Sequence, residues 1–460
     1  MKPISEQPSQ SPHLSPHGSS YGSSHGSIEL HDTIPNLNQT ILLGDGDLKL
    51  IPERNLTHLP VLDGLRGIAI LLVMIKHTWL TASSYYLPEN LSTFDQGMMV
   101  LLSYGWAGVD LFFVLSGFLI TRILLQTRRQ PKYFSTFYYR RLVRIFPLYY
   151  VLLIIQFYLL PALATKFPKL PGGEPTSLNE QLHYFGYLAN FYQVFHPEER
   201  FRFLLSPTWS LSVEEQFYLI WPFLVFLWNS RTLIICCLSF IVLCPWIRWV
   251  LIEMNKDSWM IYSLTPWRCD GLAMGALVAF WEIAKEEGGL TKPIRRRHIL
   301  YWVGIVMCIS AILGMIIYKG SSRDVDFTNA TMHSALSGLF TCLLLLLLDS
   351  PSERYLRVFE WSPFRLLGKY SYSIYLFHLP IFTVLALGIK KLVLPKIVDF
   401  LPFPGIAFLL CVIVFLIGWG VMMLWGYLSW HLFEKHFLSL KKYFPNQMNS
   451  TLKSRNESKI

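Results

Sequence analysis

Long apolar runs separated by short polar segments dominate the chain between residues 58 and 432. Each run is near the length of roughly 20 residues that a helix needs to cross a hydrocarbon core. Because the runs are continuous, they predict membrane helices rather than barrel strands. We therefore expect an all-α, polytopic transmembrane bundle of about ten spans. The predicted spans are 62–82, 98–121, 142–162, 209–229, 232–252, 261–281, 299–318, 331–348, 370–389 and 405–429.

The two ends of the chain lack this pattern. Residues 1–57 are rich in Ser, Pro, His and Gly, a composition that cannot bury enough apolar surface to fold, and predict a disordered tail. The tail also lacks the charged-then-apolar pattern of a cleaved signal peptide. Residues 433–460 are basic and polar and predict a cytoplasmic tail. The membrane domain itself is expected over 58–432.

Composition supports lipid as the solvent of this domain. The chain has 460 residues, of which 52% are hydrophobic and only 15% charged, well outside the usual range of soluble domains. The net charge of +10 does not indicate nucleic acid, because the basic residues fall between apolar runs rather than on one soluble module. The seven cysteines lie inside apolar runs without ligand-like spacing, so neither a disulfide framework nor a metal site is predicted.

Charges in the connecting segments indicate the orientation of the spans. Seven Lys and Arg residues follow the second predicted span and five follow the sixth, whereas the segment SSYYLPENLSTFDQG before the second span has none. Since cytoplasmic loops carry the excess of basic residues, both termini are expected in the cytoplasm. Lys390, Lys391 and Lys396 fall on the predicted outer side and oppose this topology at the last hairpin.

Charged and titratable residues inside the spans are the candidates for chemistry, because such residues are costly in lipid and usually face a cavity or a partner. Arg66 and His77 share the first span and are eleven residues apart, about 16 Å along one helix face. Histidine can take and return a proton near neutral pH, which makes His77 a candidate general base. The position is equally consistent with a structural histidine that is hydrogen-bonded to a neighbouring helix.

Acids occupy the second and fourth spans. Asp110 lies among the small residues Gly108, Ser116 and Gly117, and is either an orienting partner for a histidine or one half of an ion pair that joins two helices. Glu214 begins the fourth span one turn before Tyr218, an arrangement that suits hydroxyl recognition, although an acid near a helix start also stabilises the helix dipole. In the sixth span, Arg268 and Asp270 suggest internally paired charges.

Two further pairs complete the candidate site. Arg141 and Arg144 are three residues apart and share a face of the third span. Their guanidinium groups can bind phosphates bidentately, or can set topology against lipid headgroups. Tyr375 and His378 lie one turn apart in the ninth span, where they suit either a polar cavity or hydrogen bonds between helices.

In this order, the motifs resemble those of the acyltransferase 3 family of membrane O-acyltransferases over roughly residues 58–432. The motifs are Arg66 with His77, GVDLFFVLSGFLIT, Arg141 with Arg144, TWSLSVEEQFYLIWP and YSYSIYLFHLP. The resemblance implies about ten membrane helices and transfer of acetyl or related groups from cytoplasmic acyl-CoA to hydroxyls, commonly on sugars. It implies His77 as the catalytic residue, with Asp110 and Glu214 as further site residues.

The same resemblance assigns Arg66, Arg141 and Arg144 to the donor and leaves Tyr218, Tyr375 and His378 as acceptor or cavity residues. Acyl-CoA, with acetyl-CoA as the first choice, is then a co-substrate rather than a tightly bound cofactor. The expected partners are this donor, a hydroxyl-bearing glycan or small-molecule acceptor and the lipid bilayer, in a bacterial inner membrane. A transporter or flippase for an acylated or glycan substrate is the alternative, since buried charges also mark transport pathways.

Overall fold

The computed structural model describes residues 60–85, 91–168, 172–199, 204–286, 294–318, 325–349, 354–397 and 404–444. It also describes two short strands, Thr40–Ile41 and Lys49–Leu50, which pair antiparallel. The chain divides into the compact units Met1–Leu56 and Thr57–Ile460. Apart from the four strand residues, the predicted disordered tail lies outside the described residues, as does 445–460 of the predicted basic tail.

The described part of the larger unit is built from helices. The longer ones are α1 (Pro60–Tyr85), α2 (Thr93–Ser103), α3 (Ala107–Thr127), α4 (Tyr133–Ile154), α8 (Thr208–Leu227), α9 (Ser230–Glu253), α11 (Asp270–Glu286), α12 (Ile294–Tyr318), α13 (Val325–Asp349), α14 (Ser362–Leu392) and α16 (Ile406–Ser429). The shorter ones are α5 (Leu160–Ala164), α6 (Leu178–Phe185), α7 (Ala189–Phe195), α10 (Ser258–Ser263), α15 (Leu394–Ile397) and α17 (Lys435–Ser439). Short 3₁₀ segments lie at Tyr104–Trp106, Pro197–Glu199, Thr265–Trp267, Arg354–Glu360 and Leu440–Tyr443, and π-helical turns at Ile155–Leu159 and Trp430–Glu434.

Seven helical stretches within the described residues are long and apolar enough to cross a membrane. They are Thr93–Thr127, Tyr133–Ala164, Ser230–Glu253, Arg297–Gly314, Ala330–Asp349, Ser362–Leu392 and Ile406–Tyr443. The predicted spans at 62–82 and 209–229 correspond to α1 and α8, which are not among these seven stretches. Both helices carry polar candidate residues, Arg66 and His77 on α1 and Glu214 and Tyr218 on α8. The chain is thus a multi-pass membrane protein, while the count of about ten spans and the cytoplasmic termini remain predictions.

The predicted sixth span, 261–281, differs most from the structure. Its first residues form the end of α10 and the 3₁₀ turn Thr265–Trp267, and the long helix α11 begins only at Asp270. Pro266 lies in that turn, and a proline cannot continue a helix that arrives from the preceding residues. Arg268 therefore lies between this turn and α11, and Asp270 is the first residue of α11.

Two helix pairs form the centre of the bundle, α1 with α14 and α3 with α11. Both pairs use glycine where the backbones approach. A Cβ atom at Gly67 would overlap the carbonyl oxygen of Phe364, and one at Gly117 would overlap that of Leu272. Small residues allow such approach in membrane helices, where van der Waals packing rather than a hydrophobic force holds helices together.

We expect Gly117→Ala to destabilise the bundle by about 1–3 kcal/mol, because the added methyl group forces α3 away from α11. The midpoint of thermal unfolding in detergent should fall by several degrees. Gly420→Ala in α16 is the matched control, since nothing lies within 4 Å of that position and alanine favours a helix more than glycine does. Equal melting temperatures for the two variants would contradict the proposed role of the contact.

A buried acid fixes the start of α16. Asp95 in α2 accepts hydrogen bonds from the backbone amides of Gly405, at 3.2 Å, and Phe408, at 2.9 Å. The first amides of a helix have no partner inside the helix, so a carboxylate beside them supplies both hydrogen bonds and a favourable charge. Asp95 thus connects α2 to the start of α16.

Candidate active site

The two membrane histidines His77 and His378 contact each other. His77 lies on α1 and His378 on α14. Gly67 meets Phe364 nearer the start of both helices, so the helices run parallel and the two histidine side chains meet at the same level. The Nε2 atom of His378 is 3.3 Å from Nδ1 of His77, and the ring centroids are 4.8 Å apart with the rings at 64°. Sequence analysis singled out both residues but gave no reason to join them, since they are separated by 301 positions.

Backbone carbonyl groups hold both rings. Nδ1 of His77 is 2.8 Å from the carbonyl oxygen of Val73. Nδ1 of His378 is 2.7 Å from that of Tyr375. A carbonyl oxygen only accepts hydrogen bonds, so each Nδ1 carries the proton and each neutral ring keeps an unprotonated Nε2. For His77 this nitrogen has no hydrogen-bonding partner among the described residues, and it is available to take a proton.

A cavity of about 190 Å³ lies between α1, α3, α4, α8 and α14. Six of the nine candidate site residues line this cavity. Its wall includes Arg66, Phe112, Phe113, Ser116, Arg141, Arg144, Ser210, Glu214, Tyr218, Ser371, Tyr372 and Tyr375. His77 and His378 are not among the residues that line it. Tyr375 connects them to the wall, because its ring centroid is 5.6 Å from that of His378 and its carbonyl oxygen accepts the hydrogen bond described above.

Glu214 forms a compact hydrogen-bonded group inside the cavity. Ser116 donates to one carboxylate oxygen of Glu214 at 2.7 Å. The hydroxyl of Tyr218 is 3.2 Å from the other oxygen and 3.0 Å from the Ser116 hydroxyl. These three side chains come from α3 and α8. An acid and two hydroxyl groups at one wall form an arrangement that can accept or donate a hydrogen bond to a hydroxyl-bearing ligand.

A second pair of hydroxyls faces the same cavity. The hydroxyl of Ser210 forms a short hydrogen bond with that of Tyr375, and Tyr375 also lies 3.2 Å from the carbonyl oxygen of Pro207. Sequence analysis did not select Ser210. Its position could have indicated a role in the cavity, because Ser210 lies one turn before Glu214 in the TWSLSVEEQFYLIWP motif and on the same face of the helix.

Three arginines give the cavity wall a positive charge. Arg66 forms an ion pair with Asp63 at 2.8 Å. The guanidinium carbon of Arg141 lies 4.7 Å from the centroid of the Tyr218 ring, within the range of a cation–π contact. Neither Arg141 nor Arg144 has an acid within ion-pairing distance among the described residues. Two guanidinium groups on one face of α4 therefore point to a ligand with several negative charges.

Asp110 forms an ion pair between helices, which is one of the two roles that its sequence position suggested. It accepts a hydrogen bond from Arg268 at 2.9 Å and lies 3.2 Å from Nδ1 of His333. It is buried and is not among the residues that line the cavity. Neither Asp110 nor Glu214 orients the His77 ring in the structure, because both carboxylates bind other donors and Nδ1 of His77 lies beside Val73 and His378. The wider role of Asp110 in the site stays a prediction.

Two parallel ion pairs connect α11 to its neighbours. Arg268 binds Asp110 on α3, and Asp270 binds Arg248 on α9 at 2.8 Å. Arg268 and Asp270, predicted as internally paired charges, therefore each pair with a different helix rather than with one another. Sequence analysis missed Arg248 and His333. An arginine inside the apolar run of α9 was the signal for the first of them.

We expect Asp110→Leu to lower the free energy of unfolding by about 3–5 kcal/mol, because it leaves the buried Arg268 without a counter-charge. The double variant Asp110→Leu/Arg268→Met should recover a large part of this loss, since it removes both charges. Thermal unfolding of the purified variants checks the expectation. Additive losses in the double variant would show that the two side chains do not depend on each other.

The fold and the site together define a class of protein: a multi-pass membrane bundle around an arginine-lined polar cavity beside two histidines. The model of the acyltransferase 3 family, described as an acyltransferase domain, matches residues 59–423. The chain therefore belongs to this family, and the resemblance found in the sequence is confirmed.

Two relatives illustrate the similarity. The chain is 27% identical over 345 residues to the peptidoglycan O-acetyltransferase OatA of Listeria monocytogenes, a match that covers 71% of this chain and 50% of the relative. It is 27% identical over 339 residues to the O-acetyltransferase OatA of Staphylococcus aureus, covering 70% of this chain and 50% of the relative. The chain spans about half the length of these curated relatives. No solved structure gives a significant match.

Proposed function

We propose that this protein is a membrane-embedded O-acetyltransferase that moves an acetyl group from acetyl-CoA to a hydroxyl of a glycan. The observation that carries the proposal is the cavity between five helices. It combines a carboxylate–hydroxyl group, a neighbouring histidine pair and two arginines, Arg141 and Arg144, that have no acid within ion-pairing distance in the described part of the chain. Family membership supports acyl transfer as the reaction. The names of the relatives support a glycan of the bacterial cell wall as the acceptor, and hence a bacterial inner membrane as the location.

The three arginines suit the donor. CoA carries a pyrophosphate and a ribose phosphate, and arginine binds such groups through parallel hydrogen bonds. Arg66 and His77 lie about 16 Å apart along α1, as eleven residues of helix require. With the nucleotide at Arg141 and Arg144, the extended arm of the donor reaches inward along the cavity and brings the thioester towards the histidines.

His77 serves as the general base in this mechanism. Its unprotonated Nε2 takes the proton of the acceptor hydroxyl as the oxygen attacks the thioester carbonyl carbon. The carbon–sulfur bond then breaks, and the CoA thiolate receives the proton from His77, so that an ester and free CoA leave with the base regenerated. Glu214, Ser116 and Tyr218 form a hydrogen-bonding group on the cavity wall near Arg66, where they can hold a polar group of the donor.

The deciding experiment uses the purified protein in nanodiscs with [¹⁴C]acetyl-CoA and peptidoglycan fragments. We expect release of CoA together with alkali-labile label on the glycan, as an ester requires. The rival function, transport of an acylated or glycan substrate, is tested on the same protein in sealed liposomes. Movement of substrate across the membrane without consumption of acetyl-CoA would overturn the enzyme proposal in favour of transport.

A further inference from the structure

We propose that His378 is the positioning residue of His77: it accepts a hydrogen bond from the Nδ1–H group of His77 and keeps the ring in the tautomer that can act as a base. The inference rests on the proposed function of His77. It assigns to a completely buried side chain the task that an acid performs in the Ser-His-Asp arrangement, where the partner of Nδ1 holds the imidazole in its catalytic tautomer.

The geometry fixes the direction of the hydrogen bond between the rings. Nδ1 of His378 donates to the Tyr375 carbonyl oxygen at 2.7 Å, so a neutral His378 has its lone pair on Nε2. That lone pair faces Nδ1 of His77 at 3.3 Å. The opposite direction would need a doubly protonated His378, and it would leave a lone pair of His77 pointing at the Val73 carbonyl oxygen 2.8 Å away.

Nδ1–H of His77 thus has two acceptors, Val73 and His378, which is a shared hydrogen bond. The carbonyl oxygen comes from the preceding turn of the same helix, and by itself it only restrains the ring within α1. His378 adds an acceptor from α14 and thereby fixes the position of the ring relative to the cavity wall, because Tyr375 on the same turn belongs to that wall. The base and the cavity are then held in one register.

No carboxylate contacts either ring among the described residues. Asp110 binds Arg268 and His333, and Glu214 binds Ser116 and Tyr218. A neutral imidazole is an acceptor without a negative charge, so it selects the tautomer of His77 without placing an unpaired anion in the membrane, which would be costly. When His77 takes the acceptor proton, both Nδ1–H acceptors remain in place and stabilise the imidazolium.

Three substitutions at one position test this inference. His378→Gln places an amide oxygen as many bonds from Cβ as Nε2, where it can accept the hydrogen bond, whereas the shorter His378→Asn cannot reach His77. His378→Leu removes the acceptor. We expect kcat to fall about 10- to 100-fold in the Leu and Asn variants, with the KM for acetyl-CoA within about twofold of wild type, and to stay within about threefold for Gln.

The outcomes separate positioning from mere packing. Equal losses in the Gln and Asn variants, or wild-type kcat in the Leu variant, would overturn the role of His378. If the Leu variant fails to fold, the comparison of Gln with Asn still decides, because both are polar and leave no charge. Binding of acetyl-CoA by each variant is measured in parallel. Failure of the wild-type protein to bind or consume acetyl-CoA would instead defeat the proposed function, so the two failures are distinct.

Discussion

Replacement of His77 by alanine is expected to lower kcat about 10²- to 10⁴-fold, the usual contribution of a general base, while acetyl-CoA still binds. The physical reason is that Nε2 of His77 carries the lone pair that takes the acceptor proton in the proposed mechanism, and its loss leaves the arginines of the cavity wall intact. The measurement is the rate of label transfer from [¹⁴C]acetyl-CoA to peptidoglycan fragments, with donor affinity determined separately by equilibrium binding.

The matched control is His298→Ala. His298 is also a half-buried histidine on a long helix, but it lies on α12, which contributes nothing to the cavity wall. We expect its kcat to stay near wild type. A His77→Ala protein that keeps its melting temperature and also keeps its activity would remove His77 from the mechanism. Parallel loss of donor binding and activity would instead indicate that the side chain supports the fold.

The hydrophobic pattern predicted an all-helical, multi-pass architecture. Most long helices follow from the apolar runs, because segment length and hydropathy are set locally by the thickness of the membrane. The separate helix α2 before α3 was not predicted. The boundary at α11 was wrong because a turn at Pro266 interrupts an apolar stretch whose average composition still favours a span. The sequence could not show that Gly67 and Gly117 lie where two helix backbones approach closely, since glycine occurs at both exposed and packed positions.

The sequence indicated most of the residues that line the cavity but not how they pair. Arg66, Arg141, Arg144, Glu214, Tyr218 and Tyr375 were selected as charged or polar residues in lipid, and all of them line one cavity. Pairings depend on which helices are neighbours and in which direction they run. Asp110 and Arg268 are separated by 158 positions in the sequence. They pair because α3 packs in parallel on α11, and no local sequence pattern predicts that packing.

The contact between His77 and His378 also depends on how the helices pack. In α1, His77 is eleven residues after Arg66, and this spacing was visible in the sequence. That His378 is its neighbour depends on the parallel packing of α1 and α14, with the glycine contact near Phe364 setting the register. A shift of α14 by one turn, about 5.4 Å, would separate the rings. The contact between the two histidines is thus a consequence of helix packing as much as of the residues themselves.

Removal of the Arg144 guanidinium is expected to weaken acetyl-CoA binding about 10- to 100-fold, since a charge-assisted hydrogen bond contributes about 1.5–3 kcal/mol. Arg144→Lys should recover only part of this affinity, because an ammonium group lacks the planar fork that binds phosphate bidentately. Equilibrium binding of labelled acetyl-CoA to the nanodisc-embedded protein measures the effect, and kcat at saturating donor should change much less than the affinity.

The control is Arg129→Ala, which removes an exposed arginine from the loop before α4 that does not line the cavity. If Arg144 binds a phosphate, its replacement should also flatten the salt dependence of donor affinity, whereas Arg129→Ala should leave both quantities near wild type. Dephospho-CoA, which lacks the ribose phosphate, identifies the contacted group. An Arg144 variant that loses affinity for acetyl-CoA but not for dephospho-CoA has lost the ribose phosphate contact, and equal losses assign Arg144 to the pyrophosphate. Unchanged donor affinity in both the Ala and Lys variants would exclude Arg144 from the donor site and leave it as a charge that orients α4 in the membrane.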